Sequence, residues 1–139
     1  MKAGPVLAAA LAFLFTAGCA SLTVPGRKLA AADGLYQTGK YAAAAAAYRK
    51  LLQEGAGPAA AGARFGLASA LAAADNPQRN YAQALREFEE FLKLHPAHPK
   101  ARQARDWRQA LRALDQAVKS LDELRRLDMS HEEKRKGGK

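Results

Sequence analysis

Cys19 is the single cysteine of this 139-residue chain. A lone thiol forms no internal disulfide, which leaves it free for covalent modification. It follows Thr16-Ala17-Gly18 directly. No catalytic set assembles elsewhere. Ser21, Ser69, Ser120 and Ser130 lie in no nucleophile motif. His95 and His98 are spaced for one helical face, but Pro96 stands between them. No further His or Cys is near enough to complete a metal site. Glu89 and Glu90 are adjacent, so on a helix they point apart and read as a solvated face. A glycine-rich phosphate loop is missing too. No enzyme activity, cofactor or metal is expected.

The stretch before Cys19 sets its context. Met1-Lys2 is a short basic start, and Pro5 to Thr16 is a short uncharged apolar run. Small residues follow. This is the layout of a secretory leader over 1–18, too short to span as a stable membrane helix. The position of Cys19 after Ala17-Gly18 resembles the lipobox of bacterial lipoproteins, with Thr16 where that family prefers leucine. The resemblance implies a diacylglyceryl thioether on Cys19, cleavage before it, and acylation of the new amine by a fatty chain such as palmitate. An ordinary secretory leader cut after Ala20 is the alternative, since Gly18-Cys19-Ala20 is a tolerable small-x-small site. Residue Ala20 is not aspartate, so nothing resembles the inner-membrane retention signal. The expected address is therefore the bacterial envelope, lipid-anchored, in the outer membrane facing the periplasm.

The formal charge is +9. Such a charge often indicates nucleic acid, but an exported chain does not meet the chromosome, and removing 1–18 takes away only Lys2. Anionic lipid, cell-wall polymer or an acidic protein face are the remaining contacts. A basic surface that merely keeps the chain soluble explains the charge equally.

The elements that follow are helical. The chain has no isoleucine, and from Arg27 to Lys139 its β-branched residues are Thr38 and Val118 alone. A sheet has little to be built from, whereas alanine and leucine favour helix. The reading is all-α. A tether over 19–26 leads to a first helix from about Arg27 to Thr38, with Leu29, Ala32, Leu35 and Tyr36 inward. Gly39-Lys40 turns the chain. A second helix from Tyr41 to about Glu54 carries Tyr41, Ala44, Tyr48, Leu51 and Leu52. Gly55 to Pro58 breaks it. A third, from Pro58 to about Ala74, points Ala61, Phe65, Leu67, Ala68 and Leu71 inward, and a polar loop, Asp75 to Asn80, follows. The fourth helix is the clearest: Tyr81, Ala84, Phe88 and Phe91 form one stripe, and Pro96 stands just past it.

Tyr41, Ala44, Tyr48 and Leu51 align with Tyr81, Ala84, Phe88 and Phe91 at a constant offset, a period that signals stacked helical hairpins. Residues 27–96 resemble two tetratricopeptide repeats. Leu67, Ala68 and Leu71 match the first-helix positions of the second copy, and Tyr81, Ala84, Phe88 and Pro96 its second helix. Ala32, Leu35, Ala44 and Tyr48 fit the first copy, whose terminal proline is replaced by Ala56-Gly57. A generic stack of α-hairpins is the alternative. The resemblance implies a groove lined by the first helix of each hairpin that holds peptides or partner helices.

A fifth helix could run from Pro99 to about Met129, about 45 Å at 1.5 Å per residue, longer than the helices that can cover it. Its residues Ala104, Trp107, Leu111, Leu114, Val118 and Leu121 follow a heptad seam, which then drifts to Leu124 and Leu127. The first half is expected to cap the last repeat. The second half either pairs with another chain or frays. The partner-binding residues on this reading are Leu111, Leu114, Val118, Leu121 and Leu124, with an envelope protein or a second copy of the chain as partner. Residues 130–139, basic and without an apolar side chain after Ser130, are expected to be disordered.

Two finer resemblances bear on the partner. Phe88 to Pro99 is similar to hairpin ends of the repeat lipoproteins of outer-membrane protein assembly. Leu121 to Asp128 with Glu132 to Lys136 is similar to the coiled-coil ending of small lipoproteins that modulate a two-component sensor kinase. A structural lipoprotein that binds cell wall or anionic lipid through its basic face is a third option.

Overall fold

Small residues let the helices of this chain approach closely, and that decides the architecture. The computed structural model describes residues 23–137. Cys19, the expected leader and residues 19–22 of the expected tether lie outside them. Five helices follow in order: α1 (Val24–Gln37), α2 (Tyr41–Gln53), α3 (Ala60–Ala72), α4 (Tyr81–Leu94) and α5 (Ala101–Gly137). A 3-10 turn, Gly57–Ala59, leads into α3. Among the described residues there is no strand. The fold is all-α: hairpins α1–α2 and α3–α4 stack through α2 on α3, and α5 lies against α4.

Helix α1 begins at Val24, inside the tether expected over 19–26. Thr23 caps it: its Oγ1 accepts from the Gly26 N–H at 3.2 Å, and Pro25 occupies the first turn, where a missing N–H costs nothing. Gly39, with φ of +74°, closes the helix, and the Lys40 N–H donates to the Leu35 carbonyl at 2.9 Å.

Helix α3 is central, not one-faced. Phe65, Leu67, Ala68 and Leu71 are buried as the pattern predicts, but so are Ala63, Gly66, Ser69, Ala70 and Ala72. A helix packed on both sides loses the period that marks a single buried stripe. Gly66 shows how close the approach is. A Cβ there would come within 2.4 Å of the Tyr48 ring, so the ring lies flat on the α3 backbone.

The two second helices are buried to the same depth at matching positions. Ala44 and Ala84, Tyr48 and Phe88, Leu51 and Phe91 are all buried. The repeat-defining set departs from this in two places. Tyr81 is at the rim, exposed as the first residue of α4, and Pro96 is exposed beyond its end. Between the hairpin helices, Asn76 is wholly buried: its Nδ2 donates to the Ala70 carbonyl at 2.7 Å and its Oδ1 accepts from the Gln78 N–H at 2.9 Å.

Helix α5 starts against the body and leaves it. Ala101, Ala104 and Leu111 are buried, and Trp107 stacks on Phe88 with 5.9 Å between ring centroids. Past Leu111 nearly every residue is exposed. The helix does not stop at Met129 with a disordered stretch after it; it continues to Gly137. Nothing from Ser130 to Lys136 breaks a helix. Ser130 Oγ donates to the Leu127 carbonyl at 2.7 Å, and Glu132 pairs with Lys136 one turn on at 3.6 Å.

Candidate protein-interaction surfaces

Two of the grooves among the described residues, together with one helix face, offer surface for contacts. The first groove, about 360 Å³, is lined from α1, α3 and the start of α5. Asp33, Gln37, Ser69, Lys100 and Gln103 supply its polar groups, and Tyr36, Phe65 and Trp107 its aromatic walls. The Tyr48 hydroxyl, from α2, donates to Asp33 Oδ1 at 2.5 Å across its floor. Burial, then that hydrogen bond and the charge of Asp33, push the Tyr48 phenol up from its ordinary range, so it stays a neutral donor. The Lys100 ammonium sits 4.7 Å above the Phe65 ring, a cation–π contact that holds it at the groove edge. This is the groove that the first helices of the hairpins were expected to line.

The histidines are placed by packing. His95 and His98 both lie against the Phe91 ring, at 5.7 and 5.3 Å between centroids. His98 Nδ1 accepts from the Lys100 N–H at 3.1 Å. Burial first, then the positive charges of Lys100 and His95, hold the His98 imidazole below its usual pKa. Among the described residues no group of three or more His, Cys, Asp or Glu could hold a metal ion.

The second groove, about 390 Å³, lies where α5 parts from α4. Tyr81, Ala82 and Leu85 form one wall, Leu111, Leu114 and Val118 the other, with Arg86 and Asp115 at the rim. It opens onto the free part of α5. There Leu114, Val118, Leu121, Leu124, Leu127 and Met129 are exposed by 41% to 64%. Large side chains left this bare along one helix are the informative exception to burial.

The expected partner-binding set therefore divides. Leu114, Val118, Leu121 and Leu124 are uncovered. Leu111 is not: it is 4% exposed, in the core with Phe88 and Trp107, because α5 still rests on α4 at that level. The boundary is marked by an ion pair, Arg112 Nη2 to Glu89 Oε1 at 2.6 Å. Glu89 is thus a clamp between helices and not only a solvated group, while Glu90 meets Lys93 on its own helix at 3.7 Å. A second such pair, Arg64 to Glu87 at 2.7 Å, joins α3 to α4 and is half-buried. The sequence offers no local signal for either pair, since the partners are over twenty residues apart.

Residues 29–79 match the family model described as a tetratricopeptide repeat. The match spans α1 from Leu29, α2 and α3, and ends at the loop before α4. No curated protein and no solved structure matches the chain. Residues 29–79 are thus similar to a tetratricopeptide repeat, an all-helical unit that generally mediates binding to protein partners. No described helix is long and apolar enough to cross a membrane.

Proposed function

We propose that this chain is a protein–protein interaction module, tethered to the bacterial outer membrane through acylated Cys19 and facing the periplasm, where it holds an envelope partner. The observation that carries the reading is the uncovered apolar face of α5, continuous with the α4–α5 groove. A terminal helix that only capped the repeats would turn a polar face outward. Here the outward face is leucine. The groove between α1, α3 and α5 adds a second contact surface, with polar and aromatic groups suited to a peptide. The anchor supports binding by confining the module near its partner and raising the effective concentration.

The test has two arms. With Cys19→Ala the protein should move from membranes into the soluble periplasm; unchanged fractionation removes the anchor. A photo-crosslinker at Val118 in the native envelope should capture protein, and Leu114→Asp with Val118→Asp should abolish capture with helix content intact. Equal capture by the double variant shows that the stripe is not the contact face. A sensor-kinase periplasmic domain is one partner of the stated kind, to which the α5 ending points by resemblance.

A second reading has its own observation: Arg125, Arg126, Lys134, Arg135 and Lys136 are all exposed on the free part of α5. A basic face of this kind suits cell-wall polymer or anionic lipid. Such binding collapses as ionic strength rises, whereas contact through leucines persists.

A further inference from the structure

We infer that the packed half of α5 carries an arginine row that seats an acidic helix of the partner protein; the inference rests on the chain being a protein-interaction module and names the chemistry that the partner brings. From Ala101 to Arg112 the helix has four arginines, Arg102, Arg105, Arg108 and Arg112, and one acid, Asp106. Spacings of three, three and four put the arginines on one side of the helix. Arg102, Arg105 and Arg112 are exposed and Arg108 is half-buried. The ion pair of Arg112 with Glu89 turns that side along α4. Lys100, Gln103 and Trp107 lie on the other side, in the first groove.

The rest of α5 treats charge differently. From Leu114 to Gly137 there are six cations and six acids. Half of them pair on the helix itself: Lys119 with Asp115, Arg125 with Asp122 and Lys136 with Glu132. The row has no such relief. Among the described residues no carboxylate comes within ion-pair distance of Arg102, Arg105 or Arg108, that of Asp106 included. Like charges one turn apart repel. The row therefore costs the isolated chain stability, and a counter-charge brought from outside offsets that cost.

Arginine forks match carboxylates, and the chain itself makes such a joint twice. Arg64 of α3 holds Glu87 of α4 at 2.7 Å, and Arg112 of α5 holds Glu89 of α4 at 2.6 Å. Both seams of α4 thus join an arginine on one helix to a glutamate on the next. A partner helix with a carboxylate at each successive turn repeats that joint along the row. The steps fit. Arg102 to Arg112 covers about 15 Å in three steps of about 5 Å, close to the pitch of a helix. Same-face residues of an extended strand stand about 6.8 Å apart and fall out of step. A bilayer does not suit this row, because a helix lying on lipid inserts an apolar face beside its cations. The exposed neighbours Asp106 and Gln109 are polar, and the bare leucines begin only at Leu114.

The test uses the full chain, carrying Cys19→Ser, and two alanine-based helical peptides. One has glutamate at every third or fourth residue along one face, and the other has glutamine there. In a nuclear magnetic resonance titration the glutamate peptide should shift the amides from Arg102 to Arg112, and the glutamine peptide should leave them unmoved. Arg102→Gln, Arg105→Gln and Arg108→Gln together should weaken binding about tenfold, because three screened pairs are lost. Lysine at the same three positions should recover only part of it, since the charge stays and the fork goes. Lys134→Gln, Arg135→Gln and Lys136→Gln remove equal charge from the far end and should leave the affinity unchanged. An equal loss there overturns the inference, because net charge and not the row would then be binding. Row-dependent binding to phosphatidylglycerol vesicles, without binding to the glutamate peptide, overturns it too. A chain that ignores the glutamate peptide yet captures envelope protein from a crosslinker at Val118 loses the acidic helix and keeps the interaction module; one that does neither loses both.

Discussion

The two halves of α5 are written in one pattern and meet different fates. From Ala104 to Leu121 the seam repeats without a break. Its first half is pressed onto α4, with Ala104 and Leu111 buried, and its second half is bare, with Leu114 through Met129 exposed. Nothing in the local residue types separates Leu111 from Leu121. What separates them is the length of the helix beneath. Helix α4 has 14 residues and α5 has 37, so α5 outlasts its support. Periodicity states that a face is apolar, and the length of the neighbouring elements states whether the chain itself covers it.

Truncating a leucine in each half of α5 should have very different consequences. Leu111→Ala opens a cavity among Phe88, Trp107 and the α4 wall, and should cost about 3 kcal/mol of stability. Leu121→Ala in dilute, monomeric protein removes nothing from the core and should change stability by less than about 0.5 kcal/mol. Urea unfolding of the two variants, side by side, measures both. Equal losses would mean that the far half of α5 is packed by its own chain.

A smaller effect locates the boundary. Arg112 and Glu89 are each more than a third exposed, so their pair is screened and should contribute about 0.2–1 kcal/mol. Arg112→Ala should therefore cost little globally. Its local effect should be clearer: amides near Leu111 and Leu114 should exchange hydrogen faster, because the departure point of α5 moves toward Ala104. Unchanged exchange would show that Leu111 and Trp107 alone fix where the helix leaves the body.

The fold was legible where one face of a helix meets one neighbour. Tyr81, Ala84, Phe88 and Phe91 alternate cleanly with charge because α4 has a wet side, and the matching set in α2 follows. Helix α3 was less so. It is buried nearly all round, and Ala63, Gly66, Ala70 and Ala72 carry no period that marks them as core. The role of Gly66 needed the Tyr48 ring in place. Asn76 read as loop because polar residues usually are exposed; its burial depends on the Ala70 carbonyl, which sequence does not locate. The last turns of α5 carry no apolar residue in HEEKRK, so no periodicity marks them as helix. Helix propensity and an i, i+4 pair do not need one. Of the candidate contact set, Leu114, Val118, Leu121 and Leu124 are uncovered, whereas Leu111 is covered because α4 reaches as far as it, a limit the seam itself does not mark. The family match stops before α4, so the stretch with the cleanest single-helix pattern lies outside it.

The packed half of α5 should also carry a weak dependence on pH. Near the start of α5, His98 lies on Phe91, and burial with its cationic neighbours Lys100 and His95 lowers its pKa. The unfolded chain, with an ordinary imidazole, then binds more protons than the folded one below about pH 6.5. Stability must rise with pH through that window and fall as pH drops below it. His98 is mostly solvated, so the slope should be shallow. His98→Gln should flatten it, seen as a smaller change in urea midpoint between pH 7 and pH 5. An unchanged slope in His98→Gln would mean that the packing of His98 on Phe91 does not hold its imidazole away from water in the folded chain.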